Sequence, residues 1–348
     1  MRIAKHVESL EAYVPGEQPK DANVVKLNTN ENPYPPSPKT GDVLRGFDLD
    51  RLRRYPDPNF RLLRERLAEI HSTVPERIFV GNGSDEILTL AARAFVEDDG
   101  LIASMDPSYS LYRTLAAIRD VRYAPVPLSA DFTCWGTIPE GVSLFLLTNP
   151  NAPTGVRYLD GEVEKLKREL SGGVLLIDEA YADFSGRSLD FMAAAGGNDN
   201  TIVMRTLSKS YSLAGLRLGY AIGPEDLIEA LYKVKDSYNV DAVAQAVALA
   251  ALNDIAWMEA NTAKVVATRE RFIAALAVRG WDTVPSSSNF IFTKPPRMAA
   301  EDVFQKLRER RIFVRYFKGP RTGDRLRITI GTDADMDRLL EALDGMGA

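Results

Sequence analysis

The chain has 348 residues, 45% hydrophobic and 26% charged, enough to bury a large core over two domains. Lys plus Arg number 43 against 48 Asp plus Glu, a net charge of -5, so no basic excess points to a nucleic-acid partner or a polybasic membrane anchor. A single cysteine, Cys134, excludes an intrachain disulfide, and two histidines, His6 and His71, are too few and too poorly placed for a zinc hydrolase or a Ser-His-Asp enzyme. The first residues lack the apolar region of a signal peptide, and no apolar run is long enough for a bilayer. With the lone thiol, this predicts a cytoplasmic protein.

Residues 1–45 read as an arm. Tyr13-Val14-Pro15-Gly16 and the proline- and asparagine-rich run from Asn28 to Pro38 exclude regular helix or central strand there. From about residue 57, helices and short apolar strands alternate. Residues 59–71 have helical spacing with leucines at 62, 63 and 67; residues 78–80 form a strand; residues 85–96 form a helix with Ile87, Leu88, Ala91 and Phe95 on one face. A strand at 101–104 precedes a helix at 108–118. A strand at 143–147 precedes a helix at 160–170, capped by Asp160 and ended by Gly172-Gly173. Strands at 174–177, 201–204 and 218–222 follow. Continuous apolar strands between helices predict an α/β fold whose large domain, 46–255, holds a mostly parallel sheet covered by helices. The proline-free stretch 225–280 reads as helix with a break near Asp254. It leads into a smaller C-terminal α/β domain, 256–348, with strands at 289–292, 312–314 and 326–330 and helices at 301–310 and from Asp333.

Chemistry concentrates at strand ends. The apolar strand at 201–204 runs into Thr206-Leu207-Ser208-Lys209-Ser210, presenting a hydroxyl and an amine, with the Arg217 guanidinium eight residues later. Among small and apolar neighbours, burial favours the neutral, nucleophilic form of the Lys209 amine, as a Schiff-base lysine requires; taken alone, a surface lysine beside a loop fits as well. Gly81-Asn82-Gly83-Ser84-Asp85-Glu86 joins a strand to a helix N-terminus whose free amides suit a phosphate, or forms a plain glycine turn capped by Ser84 or Asp85. Asp178 stands at the carboxyl end of a buried strand, where ligands bind in open α/β sheets. It suits a magnesium-binding carboxylate of a nucleotide hydrolase or an acid paired with a cofactor's pyridinium nitrogen. The chain has no Gly-x-x-x-x-Gly-Lys-Ser/Thr loop, so the second reading stands. Thr148-Asn149-Pro150-Asn151-Ala152-Pro153-Thr154-Gly155 offers an amide donor or a proline-rich connection, and Asp106-Pro107-Ser108-Tyr109 offers a ring for stacking. Arg327, within a strand pattern, suits a carboxylate or phosphate, or a structural ion pair.

In order along nearly the whole chain, these motifs, with Asn30-Glu31-Asn32-Pro33 in the arm and Arg54-Tyr55-Pro56 after it, resemble the fold type I pyridoxal-phosphate enzymes. Within them they resemble the histidinol-phosphate aminotransferases. The resemblance implies pyridoxal 5'-phosphate as cofactor, with a Schiff base at Lys209, Asp178 paired with the ring nitrogen, Tyr181 near the phenolate and Tyr109 stacked on the ring. It implies that Gly83, Ser84, Asp85 (through backbone amides), Ser208 and Arg217 hold the phosphate. Tyr55 would reach the cofactor of the partner subunit in a homodimer. Arg327 would bind the substrate carboxylate, while Asn30, Arg315 and Tyr13 line the remaining substrate pocket. Family members often carry asparagine immediately before Pro-Thr-Gly, where this chain has Ala152; either Asn151 supplies that amide or the phenolate keeps only its other contacts.

The implied reaction is ping-pong transfer of an amino group from histidinol phosphate to 2-oxoglutarate, in histidine biosynthesis, with the Lys209 amine moving the α-proton. No metal enters it. Aromatic amino-acid transamination and decarboxylation of a phosphothreonine-type substrate are alternatives on the same fold. So is a cofactor-binding regulator, although nothing basic or helix-turn-helix-like is appended.

Overall fold

Strands built almost wholly of apolar residues have to be covered on both faces, and here they are. The computed structural model describes residues 3–8, 10, 16–19, 23–170, 172–194 and 200–347. Its first strands are β1 Val25–Lys26, β2 Ile78–Gly81, β3 Leu101–Asp106, β4 Arg122–Pro127, β5 Leu144–Thr148, β6 Val174–Asp178, β7 Thr201–Thr206 and β8 Gly219–Ile222. The last are β9 Asp282–Val284, β10 Phe290–Lys294, β11 Ile312–Phe313, β12 Arg315–Tyr316 and β13 Leu326–Thr329.

The central sheet has seven strands in the order β2-β8-β7-β6-β5-β3-β4. Only β8 runs antiparallel to its neighbours, so the sheet is mostly parallel, as expected of the α/β class. The two-residue period of each strand divides its side chains between two cores. Phe145, Leu147, Ile177 and Val203 pack under the helices carrying Leu63, Leu67 and Val247. Leu144, Leu146, Leu176 and Ile202 pack on the other face with Ile87, Leu88 and Leu115. A third core belongs to the antiparallel sheet β12-β13-β10-β9 and joins Phe272, Phe290, Ile328 and Leu339 to Val25 and Leu27 of the arm. The arm enters because β1 pairs in parallel with β11, Val25 opposite Ile312.

Several expectations need correction. The arm is not free of helix, for Lys5–Glu8 and Pro38–Arg45 are both helical. Pro38 sits in the first turn, where its missing amide costs nothing, and the Ser37 hydroxyl accepts from the Lys39 amide at 3.2 Å. The long helical stretch is three helices, Glu225–Val234, Ala242–Leu252 and Ile255–Val278. It breaks at Asp254 as read, and also before Asp241, whose carboxylate caps the second helix by accepting from the Ala244 amide at 2.8 Å. Asp160 does not cap its helix. Leu159 takes that position and donates its N–H to Glu162 at 2.8 Å, while the Asp160 carboxylate is taken by Arg157 and Arg187. Leu62 is exposed although Leu63 and Leu67 are buried. The edge strand β4 escaped notice because Pro125 and Pro127 interrupt its pattern.

Candidate active site

The carboxyl ends of β5, β6 and β7 open towards the small antiparallel sheet, and between them lies a cavity of about 240 Å³. Its walls bring together Lys209 and Arg217 from the β7–β8 connection, Asp178 and Tyr181 from the end of β6, Tyr109 after β3 and Arg327 of β13, four separate segments. Ser84, Asp85, Ser208, Asn30 and Arg315 also reach it.

One end is a cradle for an anion. Ser84 opens the twelve-residue helix Ser84–Phe95, whose first amides have no intrahelical acceptor. Gly83 precedes it at φ +80, and a Cβ there would stand 2.6 Å from Arg217 Nη2. A Cβ on Gly219 would stand 2.7 Å from the Ser84 amide nitrogen. Both positions therefore need glycine for the helix start and the arginine loop to approach. Arg217 donates to Asp85 at 3.3 Å and to the Ser208 hydroxyl at 3.5 Å, so a guanidinium, a hydroxyl and helix amides face the same space. Gly83 shapes this end without lining the cavity.

Behind the cavity stands Asp178, 5% exposed. One carboxylate oxygen accepts from the Tyr112 hydroxyl at 2.9 Å and the other from the Ala180 amide at 3.1 Å. Burial raises its pKa to about 6, against the hydrogen bonds of Tyr112 and Ala180, which lower it. Near neutral pH it is charged, and among the described residues no cation forms a salt bridge with it.

Opposite, Lys209 follows β7 in a turn gripped from the arm. The Asn32 amide donates to the carbonyls of both Lys209 and Ser210 at 3.2 Å. Lys209 Nζ lies 3.4 Å from the Thr29 carbonyl and 5.9 Å from the centre of the Tyr181 ring. Burial, then the charges of Arg327 and Arg217, pull the amine down to about 8 against Glu31 and Asp85. Such an amine can act as a base close to neutral pH. Glu31 pairs with Lys26, which together with hydrogen bonding outweighs the burial that would otherwise raise its pKa.

The Tyr181 hydroxyl accepts from the Asn30 amide at 2.9 Å, and Asn30 in turn accepts from Thr329 at 3.0 Å. Tyr109 meets Tyr112 edge-on at 5.6 Å. On the small-domain side, Arg315 of β12 stands opposite Arg327 of β13 in register. Arg327 donates to the Asn28 carbonyl at 2.9 Å and lies 5.4 and 5.3 Å from the Phe290 and Phe317 rings.

Asn151 is not brought to the cavity. Its two amide protons are taken by the Pro107 carbonyl at 3.1 Å and the Thr154 hydroxyl at 3.0 Å, which brace the loop. Ala152 and Pro153 form the wall instead, so this chain has no asparagine amide at that point. Tyr55 lies away from this cavity, 80% exposed and stacked on Tyr238 at 4.3 Å. Tyr13 falls outside the described residues. Sequence reasoning missed Tyr112, Thr148 and the grip of Asn32. Tyr112 follows Tyr109 by three positions, the spacing that puts two side chains on one side of a helical turn. Among the described residues, no group of three or more His, Cys, Asp or Glu is placed to hold a metal, and no helix is long and apolar enough to cross a membrane.

A model of the family described as aminotransferase class I and II matches residues 22–343. The chain belongs to that family. Histidinol-phosphate aminotransferase 2 of Burkholderia mallei is 45% identical to this aminotransferase over 344 residues, 97% of this chain and 96% of that one. The histidinol-phosphate aminotransferase of Geotalea daltonii is 41% identical over 350 residues, covering 100% of both chains. The solved structure of histidinol-phosphate aminotransferase from Sinorhizobium meliloti in complex with pyridoxal-5'-phosphate aligns with a TM-score of 0.89, over 99% of this chain and 97% of that chain, at 26% identity. The donor set of this aminotransferase fits such a group. The cradle kept open by Gly83 and Gly219 suits a phosphate, the Asp178 carboxylate, in no salt bridge among the described residues, suits a ring N–H, and the Lys209 amine suits an aldehyde carbon.

Proposed function

We propose that this chain is a histidinol-phosphate aminotransferase that uses pyridoxal 5'-phosphate and passes the amino group to 2-oxoglutarate, in histidine biosynthesis. The observation that carries the reading is an amine lowered to about 8 facing a buried carboxylate across one cavity, in a chain 45% identical to a histidinol-phosphate aminotransferase over nearly its full length.

When bound, pyridoxal phosphate supplies an electron sink for the bond between the substrate's α-carbon and its hydrogen. Ser84, Asp85, Ser208 and Arg217 hold the phosphate, the first two through helix amides. Asp178, charged and fixed by Tyr112 and Ala180, keeps a proton on the ring nitrogen. Tyr109 covers the ring, and Tyr181, held by Asn30, donates towards the phenolate oxygen. Lys209 Nζ would provide the covalent attachment and, with a substrate amine in its place, would take the substrate's α-proton and deliver it to the cofactor carbon on the far side of the substrate nitrogen. Arg327 and Arg315 receive the carboxylate of the amino acceptor and the phosphate of the amino donor in turn, because one guanidinium fork accepts either oxyanion.

The enzyme works as a homodimer in the cytoplasm, with Tyr55 reaching the partner subunit's phosphate site. Exposed Leu44, Leu49, Leu52 and Tyr55 support a buried contact there, and the exposed thiol of Cys134 suits a reducing compartment. Two cores flanking the seven-stranded sheet and a third centred on the small sheet, which Val25 and Leu27 enter, support a large domain 46–255 and a small domain 256–348 with an arm, 1–45, packed on the latter.

Protein loaded with cofactor is mixed separately with histidinol phosphate, phenylalanine and phosphothreonine, and the cofactor's absorbance is followed to its amine form. Histidinol phosphate should convert fastest. Faster conversion by phenylalanine would move the assignment to aromatic substrates, and carbon dioxide from phosphothreonine would make the protein a decarboxylase. No conversion by any amine would remove transamination.

A further inference from the structure

Tyr112 belongs to no motif that the reaction requires, yet it is fully buried between two parts of the site. Its hydroxyl lies 2.9 Å from Asp178 Oδ2 and 2.6 Å from Thr148 Oγ1. A phenol has one proton to give. An ionised carboxylate can only accept, so Tyr112 donates to Asp178 and must accept from Thr148. The direction of the chain Thr148 to Tyr112 to Asp178 is thereby set. The ring of the same tyrosine meets Tyr109 edge-on, 5.6 Å between centres and 81° between planes. One side chain thus ties the acid behind the cavity to the ring over it, although Asp178 and Tyr109 sit on different elements.

The geometry points to Tyr112 as a positioning residue for the cofactor: its hydroxyl, oriented by Thr148, aims the Asp178 carboxylate at the ring nitrogen while its ring props Tyr109. It touches no reacting atom and acts through those two neighbours. Donation to a charged acceptor is among the stronger hydrogen bonds in a protein, and here both partners are shielded from water that could replace it. Removing the donor leaves Asp178 Oδ2 without it, and removes the acceptor from the Thr148 hydroxyl. The carboxylate, then held only at Oδ1 by the Ala180 amide, turns about that contact or takes up a proton, and in either state it grips a ring N–H less well. This inference rests on the cofactor reading above.

The test is a double-substitution cycle on cofactor affinity. Apoprotein forms of wild type, Tyr112→Phe, Asp178→Asn and the pair are titrated with pyridoxal phosphate, and Kd is read from the absorbance of the bound form. Phenylalanine keeps the ring that props Tyr109 and deletes only the hydroxyl. Tyr112→Phe should raise Kd about tenfold in the wild-type background, and less than about threefold when Asp178 is already asparagine. The same factor in both backgrounds, or no change in the first, overturns the proposal, since a merely structural tyrosine would lower affinity without regard to Asp178. If Tyr112→Phe gives no folded protein, Thr148→Val removes the upstream donor with shape kept; it is read through the same cycle with the same two outcomes. Wild-type protein that binds no pyridoxal phosphate would end the cofactor reading itself, whereas binding with a Tyr112-independent Kd ends only this inference.

Discussion

Lys209→Met should make the apoprotein more stable while abolishing transamination. The amine is held at about 8 against an ordinary 10.5, chiefly by burial. At about 1.36 kcal/mol per pH unit, that is roughly 3 kcal/mol of folding free energy set against the charged amine. Screening in a cavity that water partly enters reduces it to about 2 kcal/mol. Below pH 8 the lysine is protonated both folded and unfolded, so wild type carries the whole cost. Above about 10.5 it is neutral in both and carries none; the cost fades as pH climbs between those values. Methionine keeps the unbranched shape and brings no charge. A chain of 348 residues gains about 0.7 kcal/mol per degree in unfolding entropy, so the apoprotein's Tm should rise by about 3 °C at pH 7. Thermal unfolding of both apoproteins at pH 7 and pH 10 checks this. A variant that melts with or below wild type at pH 7, or an advantage that persists undiminished at pH 10, would refute the reasoning.

Arg217→Gln should raise the Kd for pyridoxal phosphate by about ten- to a hundredfold while leaving KM for both substrates nearly unchanged at saturating cofactor, because the guanidinium faces the cradle and not the substrate end. Gly219→Ala should cost about 1–3 kcal/mol and weaken cofactor binding together. Its Cβ would press on backbone atoms of Gly83 and Ser84, which cannot swing aside, and apoprotein Tm with a cofactor titration would read both effects. Hybrid dimers of a Lys209→Met subunit and a Tyr55→Phe subunit should show about half of wild-type activity if Tyr55 serves the opposite subunit, since one site is then intact. Activity no better than the mean of the two parent homodimers would place Tyr55 in its own subunit's site or in neither.

What could be read from the chain was whatever local pattern dictates. Uninterrupted apolar strands bounded by glycine announced the parallel sheet, and the residues ending those strands were marked out because open α/β sheets gather ligands there. The family resemblance added Arg315 and Asn30, which no local pattern singles out. Contacts between distant segments were not legible. Asp178 and Tyr112 are 66 positions apart, and nothing in either neighbourhood announces their hydrogen bond. Asn32 lies in a quoted motif, but its hold on the Lys209 turn spans 177 positions. Proline misled in both directions, hiding β4 and suggesting that Pro38 forbade a helix it in fact begins. Asn151 misled because an amide near the right place was already engaged by its own loop.

The meeting of Ser84 with Gly219 also fixes when this protein can first acquire its vitamin-derived partner. A nascent chain that has left the ribosome only as far as β7 already holds Ser84 and Asp178, but not Arg217, nor the antiparallel strand β8 that brings the arginine loop against the helix start. The anion seat is therefore closed only by late-synthesised residues, after a loop of well over a hundred residues has been drawn shut. Arg315 and Arg327 emerge later still. Capture of the coenzyme thus reports a nearly finished large domain, and competence for substrate waits for the last hundred residues or so.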